Sequence, residues 1–285
     1  MIRRAEAGDV PALEAFLTSH AATSMFLRGN LAAFGIDNRE HPNATTYYVS
    51  ERGGAIDAVM GCTNGGFLMC QAPDADAAFW ASCVQVLKGH SVLGATGAPE
   101  QVDALVAALG FGAVDFRIHR LEPLYRLDLT DLRFDPAQAG ELRRPQAEDA
   151  AWLTEWFDGY QRETGKGTLN GVDGAAAARA FVEKPDGRLL EIDGQVCAMS
   201  ALNARTPDMV QIGGVYVPPA QRGRGYGGRI VALHLSELRR QGVAQAILFA
   251  ASAVAARAYE RIGFEHIGAY RITLLEDLMP VRAAP

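Results

Sequence analysis

Hydrophobic and polar positions repeat with two different periods along this chain, and the switches between them mark its elements. Trp152, Leu153, Trp156, Phe157 and Tyr160 recur at helical spacing and predict an amphipathic helix. A second helix is predicted over about 173–183. Leu189–Ile192 and Val196–Leu202 then read as strands joined by Asp193-Gly194, a pair suited to a type I′ hairpin turn. "DMVQIGGVYVPP" alternates toward Val215 and Val217, and Pro218-Pro219 end that strand because neither can donate to a ladder. Val231, Leu235 and Leu238 predict a helix stopping at Gly242. "QAILFA" is a buried strand. "SAVAARAYERIG" places Ala255, Ala258, Tyr259 and Ile262 on one helical face, and "HIGAYRITLL" is the last strand.

The pattern is written twice. Residues 2–17, "IRRAEAGDVPALEAFL", align with 142–157, "LRRPQAEDAAWLTEWF"; Arg3/Arg143, Arg4/Arg144, Ala7/Ala147, Asp9/Asp149 and Leu13/Leu153 are identical. In each copy a short strand leads through polar residues to an Asp expected to cap the first turn of a helix. The copies also end alike: "LGFGAVDFRI" at 109–118 resembles "IGFEHIGAYRI" at 262–272, a helix that stops at a glycine and passes into a strand. A repeat of this length predicts two similar domains, not a solenoid. The joint is expected in the polar stretch 129–141, with Pro136 and Gly140, dividing the chain into 1–130 and 131–285.

Composition narrows the function classes. The 285 residues are 49% hydrophobic and 21% charged, the balance of a globular protein in water. Net charge is −6 and no basic run exceeds a pair, which argues against nucleic acid or an anionic membrane as partner. No stretch reaches the ~18 apolar residues of a membrane span. "MIRRAEAGDVPALEAF" lacks the apolar core of a secretory signal, so a cytoplasmic location is expected. Cys62, Cys70, Cys83 and Cys197 form no C-x-x-C pair and have no histidine at ligand spacing; they are expected to be idle reduced thiols, with no metal bound.

The chemistry is concentrated in "PPAQRGRGYGGRIVALHL", residues 218–235. Arg222, Gly225 and Gly227 form an R-x-x-G-x-G, a match expected about 0.3 times by chance at this Arg, Lys and Gly content. Position makes it informative. It lies between a strand end and a helix N-terminus, where unpaired backbone N–H groups and the positive end of the helix dipole converge. Glycines there admit an anion to the main chain, and Arg222 and Arg224 add positive charge. A phosphate cradle is favoured over a mere tight strand–helix turn.

With the element order β–α–α–β–β–β–loop–α–β–α–β over 140–275, the sequence resembles the GNAT N-acetyltransferase superfamily. "VYVPPAQRGRGYG" resembles its acyl-CoA signature and "AYERIGF" its later tyrosine–glycine–phenylalanine element; the tandem arrangement is similar to bacterial double-GNAT proteins. The resemblance implies an α/β fold of two tandem GNAT-like domains, each a central mixed, mostly antiparallel sheet flanked by helices. It implies acetyl-CoA as acyl donor. The backbone of Arg222, Gly223, Arg224, Gly225, Tyr226, Gly227 and Gly228 would hold the CoA pyrophosphate. Val215, Tyr216 and Val217 would pair with the pantetheine arm, and the Val217 N–H would face the thioester oxygen. Tyr259 matches the general acid that protonates the leaving thiolate. Where many relatives carry Asn, this chain has Ser252, still able to bond backbone or ligand.

The first half lacks these features: Gly65-Gly66 stand without an R-x-x-G-x-G, Pro73 and two aspartates precede the corresponding helix, and Val106 or Ala107 falls where the tyrosine would be. It is expected not to bind CoA. A general base is sought among Glu155, Asp158 and Glu163, with Glu163 assigned; His234 falls on a helix expected to pack away from the acceptor. The expected reaction is direct attack of a small amine on the thioester. The competing readings are a non-catalytic acyl-CoA-binding or sensing protein and an interaction protein with no ligand. Retention of Tyr259 favours the enzyme over the first, and the intact loop disfavours the second.

Overall fold

The computed structural model describes residues 2–134, 140–164 and 173–282. In chain order the first half contains β1 (Arg3–Arg4), α1 (Val10–Ser19), α2 (Ala21–Phe34), β2 (Thr45–Arg52), β3 (Ala55–Thr63), β4 (Phe67–Gln71), α3 (Ala77–Leu87), β5 (Ser91–Gly97), α4 (Pro99–Ala108) and β6 (Phe116–Asp128). The second repeats the order with β7 (Glu141–Arg143), α5 (Ala150–Thr164), α6 (Gly174–Glu183), β8 (Arg188–Ile192), β9 (Gln195–Arg205), β10 (Met209–Tyr216), α7 (Tyr226–Arg240), β11 (Gln245–Phe249), α8 (Ala253–Arg261) and β12 (Glu265–Pro280).

The chain packs as two compact units. One comprises the residues up to Glu122 together with those from Gly268 onward; the other is Pro123–Ile267. The sheet of the first unit runs β1-β2-β3-β4-β5-β12, with β12 joining through Arg271↔Gly97 to Pro280↔Ser91. The sheet of the second runs β7-β8-β9-β10-β11-β6, with β6 joining through Asp128↔Gln245 to Leu124↔Phe249. Each is antiparallel except for one parallel pair, β4/β5 and β10/β11. The expected joint at 129–141, of which 135–139 lie outside the described residues, separates the two sequence repeats. The compact units are drawn differently, because each takes its last strand from the other repeat.

Alternation decides which side chains cover which helices. In the second unit Leu189, Met199 and Tyr216 face α5 and α6, packing on Leu153, Ala178 and Phe181. Their neighbours Leu190, Ala198, Val210 and Ile212 face α7 and α8, packing on Ile230, Val231, Leu235 and Tyr259. The first unit has the same three layers, with Leu13, Leu17 and Leu27 against Tyr47 and Val49, and Cys83, Leu87 and Leu105 against Met60 and Leu68. The β8–β9 hairpin turns on Asp193 and Gly194, with φ of 50° and 76°, as a type I′ turn demands. Gly242, at φ 95°, ends the helical segment as its position suggested.

The twin starts fold alike, with one difference from expectation. Asp149 does not cap the first turn of α5; its Oδ2 accepts the Gln146 N–H three residues back at 2.7 Å. Both its oxygens also accept from Arg143, at 2.7 and 3.0 Å. Asp9 does the same with the Glu6 N–H and Arg3. The identical Arg/Asp pairs of the repeat are therefore a fork-on-fork clamp between strand and helix. The Asp9 carboxyl is held down to about 2 by Arg3 and the Glu6 N–H. Burial pushes Asp149 up, but Arg143 and the Gln146 N–H outweigh it and its carboxyl too lies below the usual value. Both pairs are therefore stabilising above the unfolded carboxylate range and lose that contribution as pH falls through it. Asp149 is 5% exposed, whereas the Arg3 side chain is 45% exposed and screened by solvent. Asp149→Asn is expected to cost about 2 kcal/mol and Asp9→Asn clearly less, as read by denaturant unfolding; the deficit of either variant should shrink below pH 4.

Candidate functional site

The site is built where β10 stops pairing. Met209–Ile212 run parallel to Gln245–Leu248, and no β10–β11 pair follows Ile212↔Leu248. On its other edge β10 shifts register at Gly213, with Gly214 at φ 59°, and pairs last through Tyr216↔Met199. Val217 lies one residue beyond. The two prolines follow, then a single 3-10 turn, Pro219–Gln221, closed by Gln221 N–H to Pro218 O at 2.8 Å.

The loop then passes through Gly223 and Gly225, at φ 80° and 77°, a region in which side-chained residues are strained. A Cβ at either would meet nothing within 4 Å, so these glycines answer to backbone shape and leave their outer face open. Gly225 is the N-cap of α7 and offers no side-chain acceptor. The first bond of the helix is Arg229 N–H to Gly225 O at 3.1 Å. Among the described residues, the N–H groups of Gly223, Arg224, Gly225, Tyr226, Gly227 and Gly228 have no acceptor. Six donors at the positive end of a 15-residue helix form a ready anion site. Gly228 has a separate reason to be glycine: a Cβ would lie 3.2 Å from the Ala258 carbonyl, where α7 and α8 approach.

The arginines divide their work in a way the motif did not reveal. Arg222 turns away from the open donors. Its Nε donates to the Val217 carbonyl at 2.9 Å, its Nη2 to both Glu163 oxygens at 2.8 and 2.7 Å, and its guanidinium lies 5.7 Å from the centre of the Tyr216 ring. Arg224 is exposed and makes no ion pair among the described residues, so its charge is available at the loop. Arg229 lies 5.5 Å from the centre of the Tyr226 ring. The Arg222–Glu163 contact spans 59 positions of chain, and no local pattern signals it.

Tyr259 is 7% exposed on the sheet-facing side of α8, edge-on to Phe264 with ring centres 6.1 Å apart. Burial, with a smaller contribution from nearby Tyr160, pushes its phenol above the ordinary tyrosine range, so it stays protonated. Tyr160, on α5, packs edge-on to Tyr216 at the end of β10. The Tyr216 hydroxyl occupies the space a side chain at Gly159 would need, which is why that helical position is glycine. Ser252 is the N-cap of α8, its Oγ accepting the Ala255 N–H at 3.2 Å; its own O–H remains a donor. Asp158 lies over Gly174 at the start of α6, and Glu155 is exposed. His234 is fully buried, 3.2 Å from Ser200 Oγ, and burial pushes it down to about 3.

The corresponding helix of the first unit, α3, has its end closed from within. Its N-cap Asp76 accepts the Phe79 N–H at 2.9 Å, placing a carboxylate where an external anion would sit. The four cysteines are buried and unpaired, and burial raises each thiol, Cys62 to about 11. Among the described residues no group of three metal-ligating side chains forms, and no helix is long and apolar enough to cross a membrane.

Residues 138–264 match the acetyltransferase (GNAT) family. No curated protein sequence matches the chain significantly. Among solved structures, a Drosophila protein determined by structural genomics is similar over 96% of this chain and 98% of its own, with 17% identity and a TM-score of 0.64. A tandem GNAT protein from the clavulanic acid biosynthesis pathway is similar over 100% and 99%, with 15% identity and a TM-score of 0.54. A GNAT-family acetyltransferase from Colwellia psychrerythraea is similar over 96% and 99%, with 12% identity and a TM-score of 0.51. Residues 138–264 thus carry a match to the acetyltransferase (GNAT) family, and the chain over its whole length is similar in fold to a tandem GNAT protein.

Proposed function

We propose that the second unit transfers an acetyl group from acetyl-CoA to the nitrogen of a small amine, in one direct step. The observation that carries this reading is the run of six acceptor-free N–H groups from Gly223 to Gly228, set immediately beyond the opening of β10 from β11. Acyl transfer from acetyl-CoA is the chemistry of the GNAT family, and the CoA pyrophosphate is the anion that fits those donors. Arg224 adds charge without a competing carboxylate. The pantetheine arm would lie along Val215–Val217, on the edge where β10 no longer pairs with β11, and the Val217 N–H would stabilise the thioester oxygen as it gains charge. The amine attacks the thioester carbon and passes its proton to water. The C–S bond breaks, and Tyr259 gives its proton to the departing sulfur. Ser252 would lend its O–H to the donor's arm. Glu163 is held by Arg222, and we assign it to the loop instead of to proton transfer. The first unit, with Asp76 closing its helix end, binds no CoA in this scheme.

A purified chain should bind acetyl-CoA with a stoichiometry near one by isothermal titration; two sites would return the first unit to the chemistry. Gly225→Glu should abolish that binding while the second unit still folds, since the space beyond the Cβ is empty and the strain of a positive φ costs only about 1–2 kcal/mol. Tyr259→Phe should lower kcat on the order of 10²-fold with acetyl-CoA affinity unchanged. Because burial raises the Tyr259 phenol, wild type should show no descending limb from this group between pH 6 and 9. A Phe enzyme as fast as wild type would make Tyr259 a core aromatic only.

A further inference from the structure

We infer that Glu163 is a positioning residue: acting through Arg222, it holds the loop 217–228 in the shape that presents its N–H groups. This inference rests on the loop being the acetyl-CoA site. The loop's two prolines restrict the entry, but Gly223 and Gly225 sit where glycine alone is unstrained, and a Cβ at either would touch nothing. Glycine carries the largest backbone entropy of any residue, so packing by these two does not hold the six donors convergent. Arg222 is the last side-chained residue before that flexible stretch, and it is fastened on three sides. Its Nε closes the turn onto the Val217 carbonyl at 2.9 Å, its ring-facing side covers Tyr216, and its outer nitrogen takes both Glu163 oxygens.

The geometry needs a planar fork. One nitrogen must point along the loop while another points across to α5, and a lysine ammonium, a single point charge on a flexible stem, does not hold both at once. Glu163 comes from the last turn of α5, one turn after Tyr160, which packs on Tyr216 and is near enough to Tyr259 to help raise its phenol. The end of α5 thus touches the donor loop through Glu163 and the neighbourhood of the proposed acid through Tyr160. Both members of the ion pair are nearly half exposed, at 45% and 44%, so its effect on global stability is small and its effect on local loop order is the one to measure.

The test uses the full chain as wild type, Glu163→Gln, Arg222→Lys and the double variant, with acetyl-CoA as probe. Glu163→Gln and Arg222→Lys should each raise the acetyl-CoA Kd about 3–10-fold, and the double variant should be no worse than the weaker single, the mark of two residues acting as one. Thermal melts should coincide. In the ligand-free proteins, amide hydrogen exchange over 218–230 should quicken severalfold in both single variants, while α8 exchanges as in wild type. The pH profile of slow acetyl-CoA hydrolysis should keep its shape in Glu163→Gln. Arg222→Lys binding like wild type would reduce Arg222 to a charge and overturn the inference. So would multiplicative effects in the double variant, or a Glu163→Gln enzyme with unchanged Kd, lowered kcat and a lost acid limb, which would make Glu163 the base. If wild type binds no acetyl-CoA, the reading of the site fails; unchanged exchange over 218–230 in Glu163→Gln would, by itself, overturn the positioning role.

Discussion

A helix begins with backbone N–H groups that its own carbonyls do not reach, and this constraint organises both repeats of the chain. Most visibly it is met by side chains. Asp76 closes α3, Asp173 closes α6 and Ser252 closes α8, each accepting from the third residue on. Helix α7 starts instead at Gly225, which has nothing to offer, after a loop bent through two left-handed glycines. The donors are left open at the positive end of a 15-residue helix. An internal carboxylate at that point would abolish the site, and that is the state of α3 in the first repeat.

Within a shared architecture the two copies therefore diverge at two places that bear on the site. Both place a parallel pair beside the helix in question, β4/β5 and β10/β11, and both enter their first helices through the same arginine–aspartate clamp. What differs is the chemistry at one helix end and the residue on the last helix, Tyr259 in one and Val106 or Ala107 in the region expected to correspond. A fold kept for its packing tolerates loss of the loop; acyl transfer does not. The shared clamp, at positions remote from the loop, belongs to the first requirement.

Within the second repeat the loop is not self-supporting. The proline pair and the 3-10 turn set its entry, the close approach of Gly228 to Ala258 sets its exit, and Arg222 reaches out to α5 between them. Tyr216 ties these together: its ring lies under Arg222, its hydroxyl rests on Gly159, and Tyr160 and Trp156 surround it. The aromatic stripe of α5 is thus both core and the wall against which the donor loop is set.

Period and punctuation along the chain were enough to place the β8–β9 hairpin, the strand ending at Pro218, the glycine loop before α7 and Tyr259 on α8, because each is fixed by interactions within a few residues. The duplication was equally legible, since identical residues at a constant offset need no structure to be seen. Three things were decided only by tertiary structure. Asp149 looked like a helix cap but reaches back to Gln146, because Arg143 on the neighbouring strand draws its carboxylate that way. The last strand of each repeat completes the sheet of the other unit, a choice of edge partner that alternation alone does not encode. Arg222 looked like charge for an anion and is instead spent on Glu163, 59 residues earlier, because the fold brings the end of α5 to the loop and a guanidinium takes the nearest carboxylate that matches its fork.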